Sequence, residues 1–334
     1  MARRSGTATI SEVAAHAGVS PATVSRVMNG IFVGEPAVAE RVRASARELA
    51  YEPNHLARSL ALGQTKAVAF LVPDLANPTF QEVLSGFSKT AAKDGYRALV
   101  ADSAESPADE ELLATEIRRR TDAIVLCAPR MPETDLLRLT ETLKPLVVIN
   151  RPSPLISAPS LSVDYQSGIQ GLARHLYDLG HRRFALVLGP EQSASTAQRQ
   201  RGFDEFRATV GDIDVTSVQA GAGLEDGLDA ASAVRDTGAT AALAFNDLVA
   251  IGLINGLADL GVRVPEDISV TGFDDIPFAQ FCAPTLTTAS VPHQELGVEA
   301  WQRLRSLIRD ERPSHNLVFQ PRVEVRASTG AAPA

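Results

Sequence analysis

Seven short apolar runs recur between residues 66 and 273, and they constrain the fold more than any other feature of this sequence. The runs are AVAFLV, YRALVA, AIVLC, LVVIN, FALVLG, AALAF and ISVTGF. Longer amphipathic stretches such as TFQEVLSGFSKTAAKDG and QSGIQGLARHLYDLG separate them. Short buried strands that alternate with helices are typical of parallel sheets covered by helices. The sequence therefore predicts an α/β body that begins at Lys66.

The first sixty residues follow a helical period instead. A short helix is indicated by apolar residues at i, i+3, i+4 and i+7, namely Ile10, Val13, Ala14 and Ala17. Gly18 suits the left-handed position that ends a helix, and Ser20 followed by Pro21 is a helix start. The second helix would bury Val24, Val27 and Met28 and end at Gly30. This order of helix, glycine turn and helix predicts a helix-turn-helix unit.

A third helix is predicted over PAVAERVRASARELA, with one apolar face made of Val38, Val42, Ala46 and Leu49. Three short helices form the smallest core that such a unit needs. Any pair of short amphipathic helices would give the same periodicity, so the pattern alone leaves an ordinary helical domain open.

The outer face of the second helix carries residues suited to DNA. Pro21, Ala22 and Arg26 would face a major groove, where Arg26 can donate two hydrogen bonds to a guanine edge. Short polar side chains on or beside this helix suit phosphate contacts, which set register without reading sequence. We assign that role to Ser20, Thr23, Ser25 and Asn29.

Charge is unevenly distributed along the chain, whose net charge is −8. Residues 1–62 contain seven Arg and five Glu, a net charge of +2, so the remainder carries −10. A cationic head on an acidic body can still attract phosphate, because charges act within a Debye length of about 8–10 Å.

The segment Asn54 to Ala61 separates the two patterns. Pro53 would stop the third helix and Asn54 would cap another, which is too short to persist alone in water. Leu56 and Leu60 lie on one side of it. Two interpretations stay open: a linker helix that packs on a neighbouring domain, or a segment that folds only on DNA and against its twin.

The stretch TISEVAAHAGVSPATVSRVMNG, followed by YEPNHLARSLALG, resembles the LacI/GalR family of bacterial transcription regulators in motif order and separation. The resemblance implies that Pro21, Ala22 and Arg26 read bases. It also implies that the hinge helix starting at Asn54 places Leu60 in the minor groove, with Ala57 beside it. The loop IFVGEPAVAE departs from the family's usual helix start, although Gly34 and Pro36 still provide one.

The body carries further segments similar to the same family. They are PDLANPTF, VVINRP, LGHRRFALVLG, QRQRGF, AFNDLVAIGL and VTGFDDIPFAQFCAPTLTT. The resemblance implies an all-α helix-turn-helix head joined to an α/β periplasmic-binding-protein-like body of two doubly wound lobes. The expected limits are 1–53 for the head, 54–65 for the hinge and linker, and 66–334 for the effector-binding body. The N-lobe would span about 66–162 and 291–319, and the C-lobe about 163–290 and 320–330, with crossings near Val163, Ser290 and Phe319.

The family's effector contacts fall on six positions in the cleft between the lobes. These are Phe80, Asn150, Ser195, Arg199, Asn246 and Asp274. Asp274 can accept two hydrogen bonds from neighbouring hydroxyls, and Arg199 can donate a fork to another pair. Asn and Asp at strand ends also cap helices, so that interpretation stays open. Arg130 and His293 either reach the cleft or serve a surface or interface.

Ala222 stands where some relatives have a large aromatic residue. That exchange removes one wall of the pockets known in those relatives. The identity of the effector therefore cannot be transferred from them to this chain.

Other function classes find little support in the sequence. There is no Walker loop, GxSxG or HExxH motif and no Cys or His at metal-ligand spacing, so we expect no catalysis, cofactor or metal. Cys127 and Cys282 are expected to be buried free thiols. A missing signal peptide and membrane span predict a cytoplasmic, nucleoid-associated protein. The alternatives are a solute-binding protein without regulatory DNA binding, or a sugar-metabolising enzyme with a DNA-binding head.

We therefore expect a regulator, most simply a repressor, that binds pseudo-palindromic operator DNA and a small sugar-like effector. Lobe movement would change the spacing of two hinge segments in a homodimer and so change operator affinity. The chain has no Leu heptad extension after VEVRAST, which favours a dimer over a tetramer held by a coiled coil.

Overall fold

The computed structural model describes residues 8–51, 64–313 and 316–333. The predicted hinge residues Asn54, Ala57 and Leu60 lie outside the described residues. The chain divides into two compact units after Thr65, which we call the head and the body.

The helices and strands have the following bounds. The helices are α1 (Ile10–Ala17), α2 (Pro21–Met28), α3 (Pro36–Glu48), α4 (Pro78–Lys93), α5 (Pro107–Arg118), α6 (Glu133–Thr142), α7 (Tyr165–Asp178), α8 (Ala194–Val210), α9 (Leu224–Asp236), α10 (Asp247–Asp259) and α11 (His293–Ile308). The strands are β1 (Ala67–Val72), β2 (Arg97–Asp102), β3 (Ala123–Cys127), β4 (Leu146–Ile149), β5 (Ser160–Val163), β6 (Arg183–Leu188), β7 (Asp214–Gln219), β8 (Ala241–Leu243), β9 (Ser269–Thr271), β10 (Thr288–Ser290), β11 (Leu317–Phe319) and β12 (Arg322–Glu324).

The head is the predicted helix-turn-helix followed by a third helix. Thr9 and Glu12 form a capping box at the start of α1, and Gly18 ends α1 in the left-handed conformation with φ 64°. Ser20 caps α2 by accepting a hydrogen bond from the Thr23 amide. The small core consists of Val13, Ala14, Ala17, Val24, Val27, Ala39, Val42 and Ala46. At the start of α3 the buried residue is Ala39, and the predicted Val38 is only half-buried.

The body contains two parallel sheets of the same winding. The N-lobe sheet has the order β11-β5-β4-β3-β1-β2, and the C-lobe sheet has the order β7-β6-β8-β9. In both, the first strand of the lobe lies between the second and the third, so each sheet has a switch point where side chains from loops converge. This confirms the predicted two doubly wound lobes.

Glycines let α4 and α11 approach backbone to backbone on the N-lobe. A Cβ atom at Gly86 would lie 2.0 Å from the Gln294 carbonyl oxygen, and one at Gly297 would lie 2.0 Å from the Val83 carbonyl oxygen. Neither oxygen can move without breaking its helix, so both positions require glycine. The close approach fixes α11, whose first residue is His293, against the N-lobe.

The chain passes between the lobes at three places. It leaves β5 of the N-lobe at Val163 for α7, it runs from β10 into α11, and it leaves β11 at Phe319 for β12. Strands β10 and β12 pair with each other antiparallel between Thr288 and Glu324.

Five strands were not among the apolar runs, namely β5, β7, β10, β11 and β12. β7, with the sequence DVTSVQ, lies at the edge of its sheet and buries one residue fully. Strands of three residues, such as β11 and β12, are too short to carry a period. Within the described residues, no helix is long and apolar enough to cross a bilayer.

Candidate functional site

The outer face of α2 is available to a partner. Pro21, Ala22 and Arg26 are all exposed. Across the described part of the chain, no hydrogen bond or ion pair occupies the Arg26 guanidinium. Its donors are therefore free to reach an acceptor outside the head, as base readout requires.

The short polar side chains predicted to meet phosphate are oriented by one another. The Ser20 hydroxyl accepts from the Thr23 amide at 3.2 Å and shares a hydrogen bond with the Thr23 hydroxyl at 3.0 Å. The Asn29 amide donates to the Ser25 hydroxyl at 3.3 Å. These bonds hold the four side chains in place at the start and end of α2, and their phosphate contacts stay a prediction.

In the body, all six predicted effector residues line one small cavity of about 30 Å³ between the two lobes. Its complete lining is Asn77, Thr79, Phe80, Ala128, Arg130, Asn150, Tyr165, Ser193, Ser195, Arg199, Ala222, Phe245, Asn246 and Asp274. Several of these residues lie just after a strand: Ala128 directly follows β3, Asn150 directly follows β4, and Asp274 comes three residues after β9. The cavity thus lies where open α/β sheets bind ligands, at the carboxyl ends of the strands.

Arg199 on α8 is the most unusual group in the cavity. It is 5% exposed, and its guanidinium carbon lies 4.4 Å from the ring centre of Tyr165, 4.5 Å from that of Phe245 and 4.1 Å from that of Phe273. Within the described residues, its Nε and Nη1 atoms have no hydrogen-bond partner. Burial lowers the pKa of Arg199, and the charge of Asp274 opposes that shift. A buried unpaired donor costs about 1–3 kcal/mol, which a ligand acceptor would recover.

Asp274 faces Arg199 and also links the lobes. Its Oδ2 accepts a hydrogen bond from the Thr79 hydroxyl of the N-lobe at 3.1 Å, and its Oδ1 lies 3.9 Å from Arg199 Nη2. Burial raises the pKa of Asp274, while His293, Arg199 and the Thr79 hydrogen bond oppose the rise. Its φ of 107° is rare for a residue with a side chain, and such strain is typical of functional sites.

The two asparagines are partly used by the protein itself. Asn246 caps α10 by accepting from the Val249 amide at 2.8 Å and donates to the Ala222 carbonyl at 2.9 Å. The helix-capping interpretation therefore applies to Asn246, even though it lines the cavity. Asn150, with φ 55°, accepts from the Val163 amide at 3.1 Å, and its donor side is left to the cavity.

Of the two undecided residues, Arg130 lines the cavity and His293 lies behind it. His293 is 2% exposed and its Nε2 donates to the Asp274 carbonyl oxygen at 3.2 Å. It therefore supports the backbone of Asp274 from the first turn of α11. Ser195 lines the cavity with its hydroxyl bonded to that of Ser193 at 2.8 Å.

Sequence reasoning missed Asp247, which is fully buried next to the site. Its carboxylate accepts from the Thr288 hydroxyl at 2.6 Å and from the Ile276 amide at 2.8 Å, so it fixes the loop that carries Asp274. Burial raises the pKa of Asp247 well above the usual value for aspartate. The pair of acidic motifs FND and GFDD was the one available signal, and it did not tell which Asp would be buried.

Among the described residues, neither cysteine nor any acidic cluster offers a metal site. In residues 8–51, 64–313 and 316–333, no three His, Cys, Asp or Glu are grouped to hold a metal ion. Both cysteines are free, and burial raises the pKa of Cys127 to about 12. Cys282 is only half-buried, so its predicted full burial is wrong: it lies in the loop after the 3₁₀ turn Pro277–Gln280, not in a strand.

Known proteins match both units of the chain. The profile described as bacterial regulatory proteins, lacI family, matches residues 9–54, and that of a periplasmic binding protein-like domain matches residues 173–329. The transcriptional repressor CytR of Escherichia coli K12 is 30% identical over 332 residues, which cover 98% of this chain and 97% of CytR. This chain belongs to the LacI family. It is a DNA-binding transcriptional regulator, as the sequence predicted.

Other transcriptional regulators align over nearly the whole length of the chain. The regulator MalR of Streptomyces coelicolor is 32% identical over 345 residues, 98% of each chain. A structure of the Lac repressor dimer bound to operator and the anti-inducer ONPF has a TM-score of 0.88 at 24% identity, covering 98% of this chain and 100% of that one. A complex of the regulator CelR with cellobiose has a TM-score of 0.72 at 26% identity, covering 96% and 99%. The predicted two-part fold is thus confirmed, and these relatives are named as regulators rather than enzymes.

Proposed function

We propose that this LacI-family regulator is a repressor whose operator affinity is set by a small polyhydroxylated molecule, a sugar or a nucleoside, bound between the lobes. The observation that carries the proposal is Arg199, a buried guanidinium with two unpaired nitrogens opposite the Asp274 carboxylate. A charged pair 3.9 Å apart, with free donors on one side and a free acceptor on the other, suits a ligand that both accepts and donates.

Neighbouring hydroxyl groups meet this requirement better than a charged group does. Arg199 would donate through Nε and Nη1 to one pair of hydroxyls, and Asp274 Oδ1 would accept from another. Phe80 in the cavity wall offers an apolar surface to a sugar ring or a base. With the lobes as they stand the cavity has a volume of only about 30 Å³, so a sugar or nucleoside would enter it as the lobes move apart. Ala222 leaves more room there than an aromatic residue would.

The head contributes the second half of the function. Arg26 and its neighbours on α2 would read an operator half-site, and two heads in a homodimer would read two such half-sites. Exposed apolar side chains on the body support a homodimer. Leu99 and Val100 lie on the edge strand β2, and Phe278 and Phe281 are 57% and 82% exposed. Exposed apolar side chains mark an association surface where they form one patch, and we propose that a second copy of the chain covers these.

Binding without turnover fits the lining of the cavity. The serine hydroxyls in the lining, Ser193 and Ser195, bond each other rather than a base, and the Thr79 hydroxyl donates to Asp274 across the lobes. A solute-binding role in transport would leave the DNA-binding head without purpose. We therefore propose that ligand and operator are coupled, typically by about 1–3 kcal/mol and reciprocally.

A thermal-shift screen of sugars, polyols and nucleosides tests this proposal. A compound that binds the native body stabilises it by about 2.7 kcal/mol at one hundred times its dissociation constant, so its melting temperature rises. We expect a hit among these classes, and we expect Arg199→Met to lose the shift while Arg207→Met keeps it. Arg207 is an exposed arginine in the last turn of the same helix. The proposal fails if no compound of the three classes raises the melting temperature, or if Arg199→Met responds like the parent.

A further inference from the structure

The loop Ala128–Met131, which follows β3 of the N-lobe, is held from beneath by a buried carboxylate. Glu110 on α5 is 1% exposed and accepts hydrogen bonds from the backbone amides of Arg130 at 2.8 Å and Met131 at 2.6 Å. With its amides fixed in this way, the loop turns carbonyl oxygens outward. Ala128, with φ 47°, bends the chain into this conformation.

Two arginines bind those carbonyl oxygens. Arg130 Nη1 donates to the Ala128 carbonyl at 3.0 Å, and Arg151 donates to the carbonyls of Pro129 at 3.0 Å and Met131 at 3.1 Å. Arg130 also donates two hydrogen bonds to the Glu105 carboxylate, from Nε to Oε2 at 2.6 Å and from Nη2 to Oε1 at 2.8 Å. Both guanidinium groups are therefore fixed on the N-lobe independently of the other lobe.

Each of these guanidinium groups reaches across to the C-lobe with one further bond. Arg130 Nη1 donates to the Ser193 hydroxyl at 3.3 Å, and Arg151 Nη1 donates to the Gln192 carbonyl at 3.3 Å. Gln192 and Ser193 directly precede α8, the helix that carries Arg199. The C-lobe side thus has one bond per arginine, whereas the N-lobe side has several.

The same residues separate the inner cavity from an outer groove. Arg130, Arg151, Gln192 and Ser193 all line a groove of about 660 Å³ that is open to solvent. Arg130 and Ser193 also line the inner cavity. Their contact is therefore part of the wall between the groove and the cavity.

We propose that Arg130 and Arg151 form an interlobe clamp that stabilises the closed arrangement of the lobes and controls passage between the outer groove and the inner cavity. The identity of the molecule that passes depends on the proposed function, whereas the closure of the lobes does not. When the lobes separate, the two bonds to residues 192 and 193 break, and both arginines keep their N-lobe partners. Because the arginines are fixed in advance, closing costs little side-chain entropy.

Ser193→Ala is the most specific test of the clamp. Ser193 is the N-cap of α8, but its side chain makes no capping hydrogen bond, so alanine does not weaken the helix through its cap. Ser157→Ala is the matched control, because the Ser157 hydroxyl bonds Glu141 within the N-lobe. Arg130→Met is the second variant. It also leaves Glu105 without its ion-pair partner, so Ser193→Ala is the variant that decides the test.

Lobe separation can be measured by electron-spin distance measurements on the full chain without any ligand. Spin labels on Leu112→Cys and Ala208→Cys, both exposed, report on the two lobes, with Cys282→Ser removing the half-buried thiol. We expect Ser193→Ala to raise the ratio of open to closed molecules by about tenfold, the effect of losing the hydrogen bond from the charged Arg130 donor. The bond to Ser195 is also lost, but both of its partners lie on the C-lobe side. Ser157→Ala should leave the distances unchanged.

A double-variant cycle completes the test. If the two side chains act through their mutual bond, adding Ser193→Ala to Arg130→Met changes the distances no further. The clamp is overturned if Ser193→Ala gives the distances of the parent, or if the two variants act additively. Because no ligand is present, these outcomes are independent of the thermal-shift screen that tests the proposed function.

Discussion

In the head, Pro21, Ala22 and Arg26 face solvent on one side of α2, whereas in the body Arg199 and Asp274 are 5% and 6% exposed. DNA is large and stiff, so a protein that contacts its bases must keep the hydrogen-bond donors on its surface. A small ligand gains affinity by being enclosed, so its partners are buried before it arrives. The same types of side chain are thus placed in opposite ways by the two units.

The two units also differ in what supports their polar groups. The hydrophobic core of the head consists of eight buried residues, all Val or Ala. The body has several larger clusters that include Trp301, Phe87 and Phe203. A domain of about 60 residues buries only about 60% of its unfolded surface and is marginally stable. We therefore expect the head to be the part that fails first when the core is damaged.

Equivalent Val→Ala substitutions in the two cores should give the largest difference between the units. Val42→Ala in the head and Val270→Ala in the body remove the same two methyl groups from residues that are 0% exposed. Each costs about 2–3 kcal/mol. We expect Val42→Ala to unfold the head and abolish operator binding, while Val270→Ala leaves both units folded. Calorimetry and operator gel shifts measure this, and equal loss of DNA binding in the two variants would contradict the comparison.

Removal of the exposed arginine should affect DNA specificity alone. Arg26→Ala is expected to cost about 1–3 kcal/mol of discrimination at one symmetric base-pair position, because a bidentate contact is lost. The ligand-induced thermal shift of the body should stay as in the parent. Selection of binding sites from random DNA checks the first expectation, and an unchanged consensus would show that Arg26 reads no base.

Helix caps provide a smaller, local contrast between the units. Ser20 caps α2 with a hydrogen bond to the Thr23 amide, whereas Ser106 at the start of α5 makes no capping bond with its side chain. Ser20→Ala should therefore cost the head about 1 kcal/mol, and Ser106→Ala should cost almost nothing. Thermal melts of both variants decide it, and equal losses would contradict the structural difference.

Asp247 gives the body a pH dependence with a defined sign. Because burial raises the pKa of Asp247, the folded body resists ionisation of this group. Its contribution to stability is full below the pKa of an unfolded aspartate and is lost as pH rises through the folded value. Asp247→Asn should flatten the fall in melting temperature as pH rises above the pKa of an unfolded aspartate. The exposed Asp229→Asn is the control, and parallel curves for all three proteins would contradict the prediction.

Local patterns in the sequence were sufficient for the head. The 3.6-residue period located α1, α2 and α3, and Ser20 and Gly18 marked helix ends through interactions with residues close in the chain. In the body, the apolar runs located seven strands, all largely buried except the edge strand β2, whose predicted burial is wrong. The edge strand β7 was missed because a polar edge has no apolar run, and β11 because three residues carry no period.

The cavity depended on more than local pattern. Phe80, Asn150 and Arg199 come from distant parts of the chain, and only the resemblance to a family predicted that they share one site. Lining residues outside the family motifs, such as Tyr165, and the clamp of Arg130 on Ser193 arise from tertiary packing. No spacing in the sequence encodes those contacts.

Operator titration of Asp274→Ala tests the central claim that separate DNA and effector sites are coupled. The operator comes from site selection with the parent protein, and the ligand is the strongest hit of the thermal-shift screen. We expect the variant to bind operator as the parent does without ligand, while the ligand changes only the parent's affinity, by about 5- to 150-fold. If the ligand changes the operator affinity of Asp274→Ala and of the parent equally, the cavity is not the coupled site and the account is wrong.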